Sequence, residues 1–569
     1  MAIFDTWSAK ARAEHCKQAA SLNFDAIIIG GGITGAGVAR ELALRGMSFC
    51  ILDKNDFAFG TSSRSSKLAH GGIRYLGNRE FKLVRESTTE RNWLRNHFPN
   101  MVRPLGFYFN SFAKGKDKPV HIIYTMILYS VLSGFRSKFK NYRLPKIYNS
   151  WLMKRAEPNF TRNEETLGKF LISGFYYDTN IDDARLTIET IKESLNYSKG
   201  RSCALNYSEV TGFLKDGSGK VCGVKVRDTL DGHEYEVKGK IVIACGGIWT
   251  DEILKNEDSG TSRIYPTKGV HVVVPNERIG NRNGLGLRSF DDNRFFFVLR
   301  RGKVSVIGTT DTDYFKESKN LDEPWCTKED CDYLFRTVNR MFPKANLTYK
   351  DIIGTYAGIR PLIKQEGAAS ESAVSREHEI FFLKNGVVAI AGGKLTTFRL
   401  MAEELIFKLI EKGYMSAFSV PEHSIPGFSM QPFVVGMKRT DFNKTIKNKA
   451  LAGVSWPDQL EYLYTQYGRQ AIDILEKIKS DPESGKSLLK DYPICRAEIE
   501  FILEYENCPR LIDILCRRTE SQWTIWHYLQ AELAEKVAEI AAGYYGWDDA
   551  RKETEIRHYN EYIKKTIWF

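Results

Sequence analysis

Phe24-Asp25-Ala26-Ile27-Ile28-Ile29-Gly30-Gly31-Gly32-Ile33-Thr34-Gly35-Ala36-Gly37 is the stretch from which the rest of the chain can be read. Its first six residues are a β-branched, apolar run that stops at Gly30, the pattern of a buried strand. Val38 to Arg45 reads as helix and Ser48 to Leu52 as a second strand, ending on Asp53. Strand, Gly30-x-Gly32-x-x-Gly35, helix, strand and terminal acid make one βαβ unit of the dinucleotide-binding kind. Gly30 permits the tight turn, and Gly32, beside Gly31 and Thr34, lets the backbone approach a pyrophosphate. The pyrophosphate would sit at the helix N-terminus, where unpaired N–H groups favour anions. Asp53 would accept from the adenosine ribose hydroxyls.

Around this unit lie 569 residues with 43% apolar and 27% charged side chains, the make-up of a packed globular protein. The longest mainly apolar run, Val120 to Leu132, is shorter than the roughly 20 residues of a spanning helix. The formal charge of +12 favours anionic partners: phosphorylated substrates, an acidic membrane surface or nucleic acid. The ten cysteines have no zinc spacing, so no metal site is expected, and reduced thiols in a cytoplasmic compartment are. The first twenty residues carry Asp5 and Glu14 and lack the apolar core of a secretory signal.

Three parts are expected. Residues 1–22 read as an amphipathic helix. Residues 23–433 read as a Rossmann-like α/β domain interleaved with an antiparallel-sheet substrate domain. Its later strands are Val221–Val226, Tyr235–Val237 and Ile241–Ala244, then hairpins around Arg300–Lys303 and Lys384–Gly386. Beyond the prolines near 421–432 the strand patterns stop, and residues 434–569 read as an all-α domain.

A nicotinamide enzyme would continue with further βαβ units. This chain has instead a loop of small polar residues, Gly60-Thr61-Ser62-Ser63-Arg64-Ser65-Ser66-Lys67-Leu68, and a later insert returning to Ile241–Gly246. That layout suits FAD, with the loop lining the pyrophosphate and flavin. The loop's continuation through Ala69-His70-Gly71-Gly72-Ile73-Arg74-Tyr75-Leu76 resembles the signature of the FAD-dependent glycerol-3-phosphate dehydrogenases. The likeness recurs at Asp182–Leu186, Lys268-Gly269-Val270-His271, Gly308–Asp313, Gly358-Ile359-Arg360-Pro361-Leu362, Ser375-Arg376 and Gly392-Gly393-Lys394-Leu395-Thr396-Thr397. In the tail it reaches Ala497-Glu498-Ile499 and Leu515-Cys516-Arg517-Arg518-Thr519. Two departures stand out: Ala244-Cys245-Gly246-Gly247-Ile248-Trp249, where the family usually has Gly-Pro-Trp, and Leu299-Arg300-Arg301, where it usually has a proline.

The resemblance implies oxidation of sn-glycerol 3-phosphate to dihydroxyacetone phosphate, with hydride passing to flavin N5 and electrons to membrane quinone. An oxidase that hands them to O2 is the alternative. It implies FAD contacts from Gly30, Gly31, Gly32, Thr34, Gly35, Asp53, Thr61, Ser62, Ser63, Ser65, Ser66, Lys67 and Leu68. Gly246, Gly393, Lys394, Leu395 and Thr396 complete that set. A base must take the hydroxyl proton, and His70 and His271 are equal candidates. A phosphomonoester needs fixed cations, for which Arg74, Arg360, Arg376 and Lys394 are placed in motifs, with Tyr75 adding a hydroxyl. Such cations, Arg360 among them, would also stabilise alkoxide character in the reaction. Asp183 and Arg185 are better read as a helix cap and an ion pair.

Lys114, Lys116 and Lys118 before the Val120–Leu132 run, and Arg136, Lys138, Lys140 and Arg143 after it, fit a helix lying on an anionic membrane surface. The same pattern also fits a core helix between solvated basic loops; membrane association, at the inner face of the cytoplasmic membrane, is what the resemblance implies. No nucleic-acid module is present. For the helical tail three readings stay open: capping the active site, forming a homodimer surface, or neither.

Overall fold

The computed structural model describes residues 6–134, 144–258, 262–314, 320–364, 377–415 and 433–567. Its centre is a five-stranded parallel sheet in the order Cys203–Leu205, Phe49–Leu52, Asn23–Ile29, Glu234–Ala244, Val388–Gly392. Numbered along the chain that order is 3-2-1-4-5, the doubly wound Rossmann order. Every residue from Ala26 to Ile29 is buried, because helices cover one face and other strands the other. Helix Ile33–Leu44 follows the first strand, and helices Asp183–Ser198 and Phe398–Glu411 pack against it.

The insert differs from the expected three short strands. Ser208–Lys215 and Val221–Asp228 pair as a hairpin, and Tyr235 to Ala244 is one continuous strand rather than two. Its N-terminal half pairs with the hairpin and its C-terminal half, Ile241–Ala244, with the first strand. Lys238 and Lys240, between the two expected strands, alternate outward along an unbroken strand.

A second, eleven-stranded sheet is built from residues 68–180 and 264–363, interleaved in sequence with the first. Its long pair joins Ile264–Pro275 to Gly354–Ile363, with His271 opposite Tyr356 and Thr267 opposite Arg360. The sheet is mixed, not wholly antiparallel, since Gly284–Arg288 runs parallel to Arg103–Phe112. Both hairpins form, as Phe295–Arg301 with Val304–Gly308 and as His378–Phe382 with Val388–Gly392.

After residue 433 the named elements are helices, packed on two apolar cores of their own. Near the N-terminus a helix forms over Arg12–Ser21, and it is not a free-standing amphipathic element. Trp7 lies 5.4 Å from the Phe57 ring and Arg12 is paired with Asp228 at 2.8 Å, both against the parallel-sheet domain.

Candidate active site

The C-terminal ends of the parallel strands open into a cleft of about 520 Å³, within the roughly 300–1,000 Å³ typical of ligand sites. Gly30, Gly32, Thr34, Asp53, Thr61, Ser62, Ser65, Gly246, Gly393, Lys394 and Leu395 all line it. The glycines are needed there. Gly30 has φ +109°, and a Cβ on it would lie 2.5 Å from the Cys245 carbonyl oxygen. A Cβ on Gly35 would lie 2.0 Å from the Gly30 carbonyl oxygen, so only glycine lets the helix approach the strand end. Ser62 Oγ accepts from the Ile33 N–H at 2.9 Å and ties the polar loop to the helix N-terminus.

Asp53 does more than the sequence suggested. Its carboxylate accepts from the Gly31 N–H at 2.7 Å and the Asn55 N–H at 2.9 Å, holding the glycine turn in shape. Burial pushes its pKa up to about 7, against those two hydrogen bonds. Folding therefore favours the protonated acid, so this group lowers stability as pH rises from about 4 through 7. A ligand hydroxyl donating to the carboxylate favours its ionised form and reduces that preference.

Several loop residues have partners of their own. Lys67 is 1% exposed and pairs with Asp183 at 2.6 Å and Glu520 at 2.7 Å, so its ammonium is not directed at the cleft. Ser63 gives its carbonyl to the same ammonium, Leu68 lies in a short strand against Asn180, and Ser66 Oγ is 2.9 Å from His271 Nε2. Asp183 also accepts from Ser65 Oγ and N–H. The expected Asp183–Arg185 pair does not form. Residues two apart on a helix face different ways, and Arg185 pairs instead with Glu189 and Glu506. The cap is Asp182, which accepts from the Arg185 N–H at 2.8 Å.

The candidate chemical groups fall into two clusters. In the first, Tyr75 is 5% exposed, Lys394 Nζ lies 3.7 Å over its ring, Arg74 lies 5.7 Å from it, and the His70 ring is at 6.4 Å. Thr396 Oγ1 accepts from the His70 N–H at 3.2 Å and joins this loop to the turn after Lys394. In the second, Arg360 donates to Asp311 and Thr309 Oγ1, each at 2.9 Å, and to the Thr310 carbonyl. His271 stacks on Tyr356 at 4.6 Å and contacts Gly308, next to Thr309. Burial, followed by the charges of Arg360 and Lys67, drives the His271 pKa well below 6.5, so its ring is neutral. Its Nδ1 is buried with no hydrogen-bond partner among the described residues. Ser65, Pro361 and Lys394 line the cleft, and Ser66, next to Ser65, reaches His271. Arg376 lies outside the described residues.

Comparison with known proteins adds the family. A family model described as FAD dependent oxidoreductase matches residues 25–405, and one described as the C-terminal domain of alpha-glycerophosphate oxidase matches residues 434–552. Glycerol-3-phosphate dehydrogenase 2 of Mycobacterium tuberculosis is 34% identical over 98% of this chain and 91% of its own. Aerobic glycerol-3-phosphate dehydrogenase of Bacillus subtilis is 31% identical over 96% of this chain and 95% of its own. The chain belongs to the FAD-dependent glycerol-3-phosphate dehydrogenase family. The solved glycerol-3-phosphate dehydrogenase of Bacillus halodurans, complexed with FAD, superposes with a TM-score of 0.76 at 26% identity, covering 98% of both chains.

FAD is thus the cofactor, and the cleft fits it. The glycine turn leaves room for a pyrophosphate against backbone, and the half-buried Asp53 carboxylate lines the same cleft, where it could accept from ligand hydroxyls. The Gly246-Gly247 departure keeps this fit, because Gly247, at φ +54°, starts the turn that sets Trp249 against Gly60. FAD binding is expected to tighten by about tenfold from pH 5.5 to 8 as the ribose hydroxyls stabilise the Asp53 carboxylate, a preference of about one pKa unit. Asp53→Asn should flatten that profile. A titration of apoprotein by flavin fluorescence at several pH values measures it, and an equally sloped profile in the variant refutes the role.

Proposed function

We propose that this chain oxidises sn-glycerol 3-phosphate to dihydroxyacetone phosphate and passes the electrons to membrane quinone. The observation that carries the reading is the buried, neutral His271 beside Arg360, on a sheet that adjoins the FAD cleft. Bound FAD supplies the hydride acceptor at flavin N5. His271 takes the substrate hydroxyl proton, because its imidazole is neutral at physiological pH and so can accept one. His70, its rival from the sequence, helps position the loop of Arg74 and Tyr75. Arg360 holds the phosphate, with Lys394 and Arg74 adding charge and Tyr75 a hydroxyl; Arg376 belongs with this set by its motif. These cations also favour alkoxide character as the hydroxyl proton leaves.

Membrane docking is assigned to helix Pro119–Leu132. Its outer face bears Val120 (67% exposed), Tyr124 (61%), Ile127 (58%) and Val131 (48%), spaced as one stripe. Ile147 sits opposite Gly174, on which Ile122 and Met126 pack, so the exposed Ile147 and Trp151 extend the stripe. Exposed Lys114, Lys116 and Lys118 lead into the helix, while Arg136 to Arg143 lie outside the described residues. An apolar stripe with basic flanks suits an interface lying on anionic lipid. Among the described residues no helix is long and apolar enough to cross a membrane. That placement, at the inner face of the cytoplasmic membrane, brings the enzyme to its quinone.

Val120→Glu with Ile127→Glu should cut co-sedimentation with anionic vesicles by about tenfold or more, the loss of roughly two buried apolar side chains. Activity with a soluble dye should persist. Unchanged vesicle binding would dismiss the assignment. The reaction itself is tested anaerobically: sn-glycerol 3-phosphate should bleach the flavin, and a soluble quinone should restore it. Fast recovery in air with stoichiometric peroxide would make the enzyme an oxidase, and no bleaching would refute the substrate.

A further inference from the structure

The tail motif Leu515-Cys516-Arg517-Arg518-Thr519 takes no part in the chemistry above, yet it is almost wholly buried. It lies in a five-residue π-helical turn, Ile514–Arg518. Turns of that kind re-aim side chains and recur at functional places. Arg517 Nε and Arg518 Nη1 both donate to Asp56 Oδ2 at 2.5 Å, and Arg518 Nη2 donates to Asp56 Oδ1 at 3.0 Å. Asp56 is fully buried and stands three residues after Asp53, between cleft-lining Asn55 and Phe59. Burial alone would raise its pKa, but the two guanidinium groups hold it down at about 2.

Two residues on, Glu520 reaches the other end of the same loop. It pairs with Lys67 at 2.7 Å and approaches Arg301 at 3.7 Å. Lys67 also grips Asp183, which holds Ser65. Burial would lower the Lys67 pKa, and the Asp183 and Glu520 carboxylates override it, so the ammonium stays charged. Glu520 and Lys67 are both non-glycine residues with positive φ, +52° and +53°. Such backbone is costly and persists only where the surroundings enforce it.

The span from Asp56 to Lys67 contains Phe59, Gly60, Thr61, Ser62 and Ser65, all lining the cleft. We propose that the segment Arg517–Glu520 of the helical domain is a positioning element for FAD, clamping the cofactor loop through Asp56 at one end and Lys67 at the other. The helical domain thereby acts as part of the cofactor site without touching the cofactor. The two ends are held by separate ion pairs, so they are separable by mutation. Charge is what makes the clamp demanding: a buried ion left without its partner is strongly disfavoured, so the loop has one good position.

Arg518→Lys and Glu520→Gln test the two ends independently, on holoenzyme and on apoprotein. The readouts are the FAD dissociation rate, followed by flavin fluorescence, and amide hydrogen exchange along the chain. Each variant should release FAD at least about tenfold faster. Exchange should accelerate over residues 53–60 in Arg518→Lys and over residues 61–67 in Glu520→Gln. Exchange in strand Asn23–Ile29 and helix Gln530–Tyr545 should stay at the parent rate. An unchanged FAD release rate in either folded variant would overturn the clamp at that end. Faster exchange spread evenly over both domains would overturn it as well, marking these pairs as general stabilisers. Should Arg518→Lys fail to fold, Arg517→Lys probes the same carboxylate with one guanidinium left in place.

Discussion

His271→Asn is expected to lower kcat by about 10²- to 10⁴-fold while leaving FAD bound, the usual contribution of a positioned general base. Asparagine keeps a polar side chain on strand Ile264–Pro275 but has no nitrogen able to take a proton. The pH profile sharpens the test. Burial, then the Arg360 and Lys67 charges, lowers the His271 pKa well below 6.5. The imidazole is therefore already neutral at pH 6.5, and if it is the base the acid limb of kcat/KM belongs below that pH. The sign for stability follows the same shift. Below pH 6.5 the unfolded chain takes up a proton that the folded imidazole refuses, so this group makes the fold less stable as pH falls. His70→Asn should cost much less and act mainly on KM, through the loop of Arg74 and Tyr75. If His70→Asn took the large kcat loss and His271→Asn did not, the two roles would be exchanged.

Arg360→Ala is expected to reduce kcat/KM for sn-glycerol 3-phosphate by about 10³-fold, with KM rising sharply. Truncating one partner of a hydrogen-bonded, mostly buried charge pair costs about 2–5 kcal/mol, and 10³-fold lies inside that range. Arg360 is well placed for a dianion. Its guanidinium is held by Asp311, Thr309 Oγ1 and the Thr310 carbonyl, so little side-chain freedom remains to be lost on binding. The proper control is glycerol, which lacks the phosphate. The variant should lose nearly all of its preference for the phosphorylated substrate, and Arg360→Lys should recover only part, since an ammonium cannot make two parallel bonds. Equal kinetic constants for variant and parent would remove Arg360 from the phosphate site.

The residues legible in the sequence share a physical character. Asn23 to Asp53 is a local unit, in which strand, turn, helix and strand follow one another within thirty residues. Its hydrophobic run, its glycines and its terminal acid are short-range signals that the fold need not supply. The Lys384-Asn385-Gly386 hairpin is legible for the same reason. The helical tail is legible too, since helical periodicity is written in consecutive residues. The candidate chemistry-bearing residues were singled out because each sits in a motif, and a motif is again local.

What the sequence determined about this protein, then, is the dinucleotide unit, the division into sheet-rich and helical parts, and the residue types available for base and phosphate. The tertiary structure alone decided what surrounds those residues. It made Tyr235 to Ala244 one strand by giving it different partners along its length. It turned Lys67 away from the cleft by placing Asp183, 116 positions along the chain, against its ammonium. It set Asp56 between two arginines more than 460 positions away. It also separated two equal histidines, burying His271 under Tyr356 beside Arg360 and leaving His70 on the Tyr75 loop. Burial and charge pairing are properties of a three-dimensional neighbourhood, and they set protonation and geometry. No window of sequence contains that neighbourhood, because the residues that form it meet only when the chain is folded.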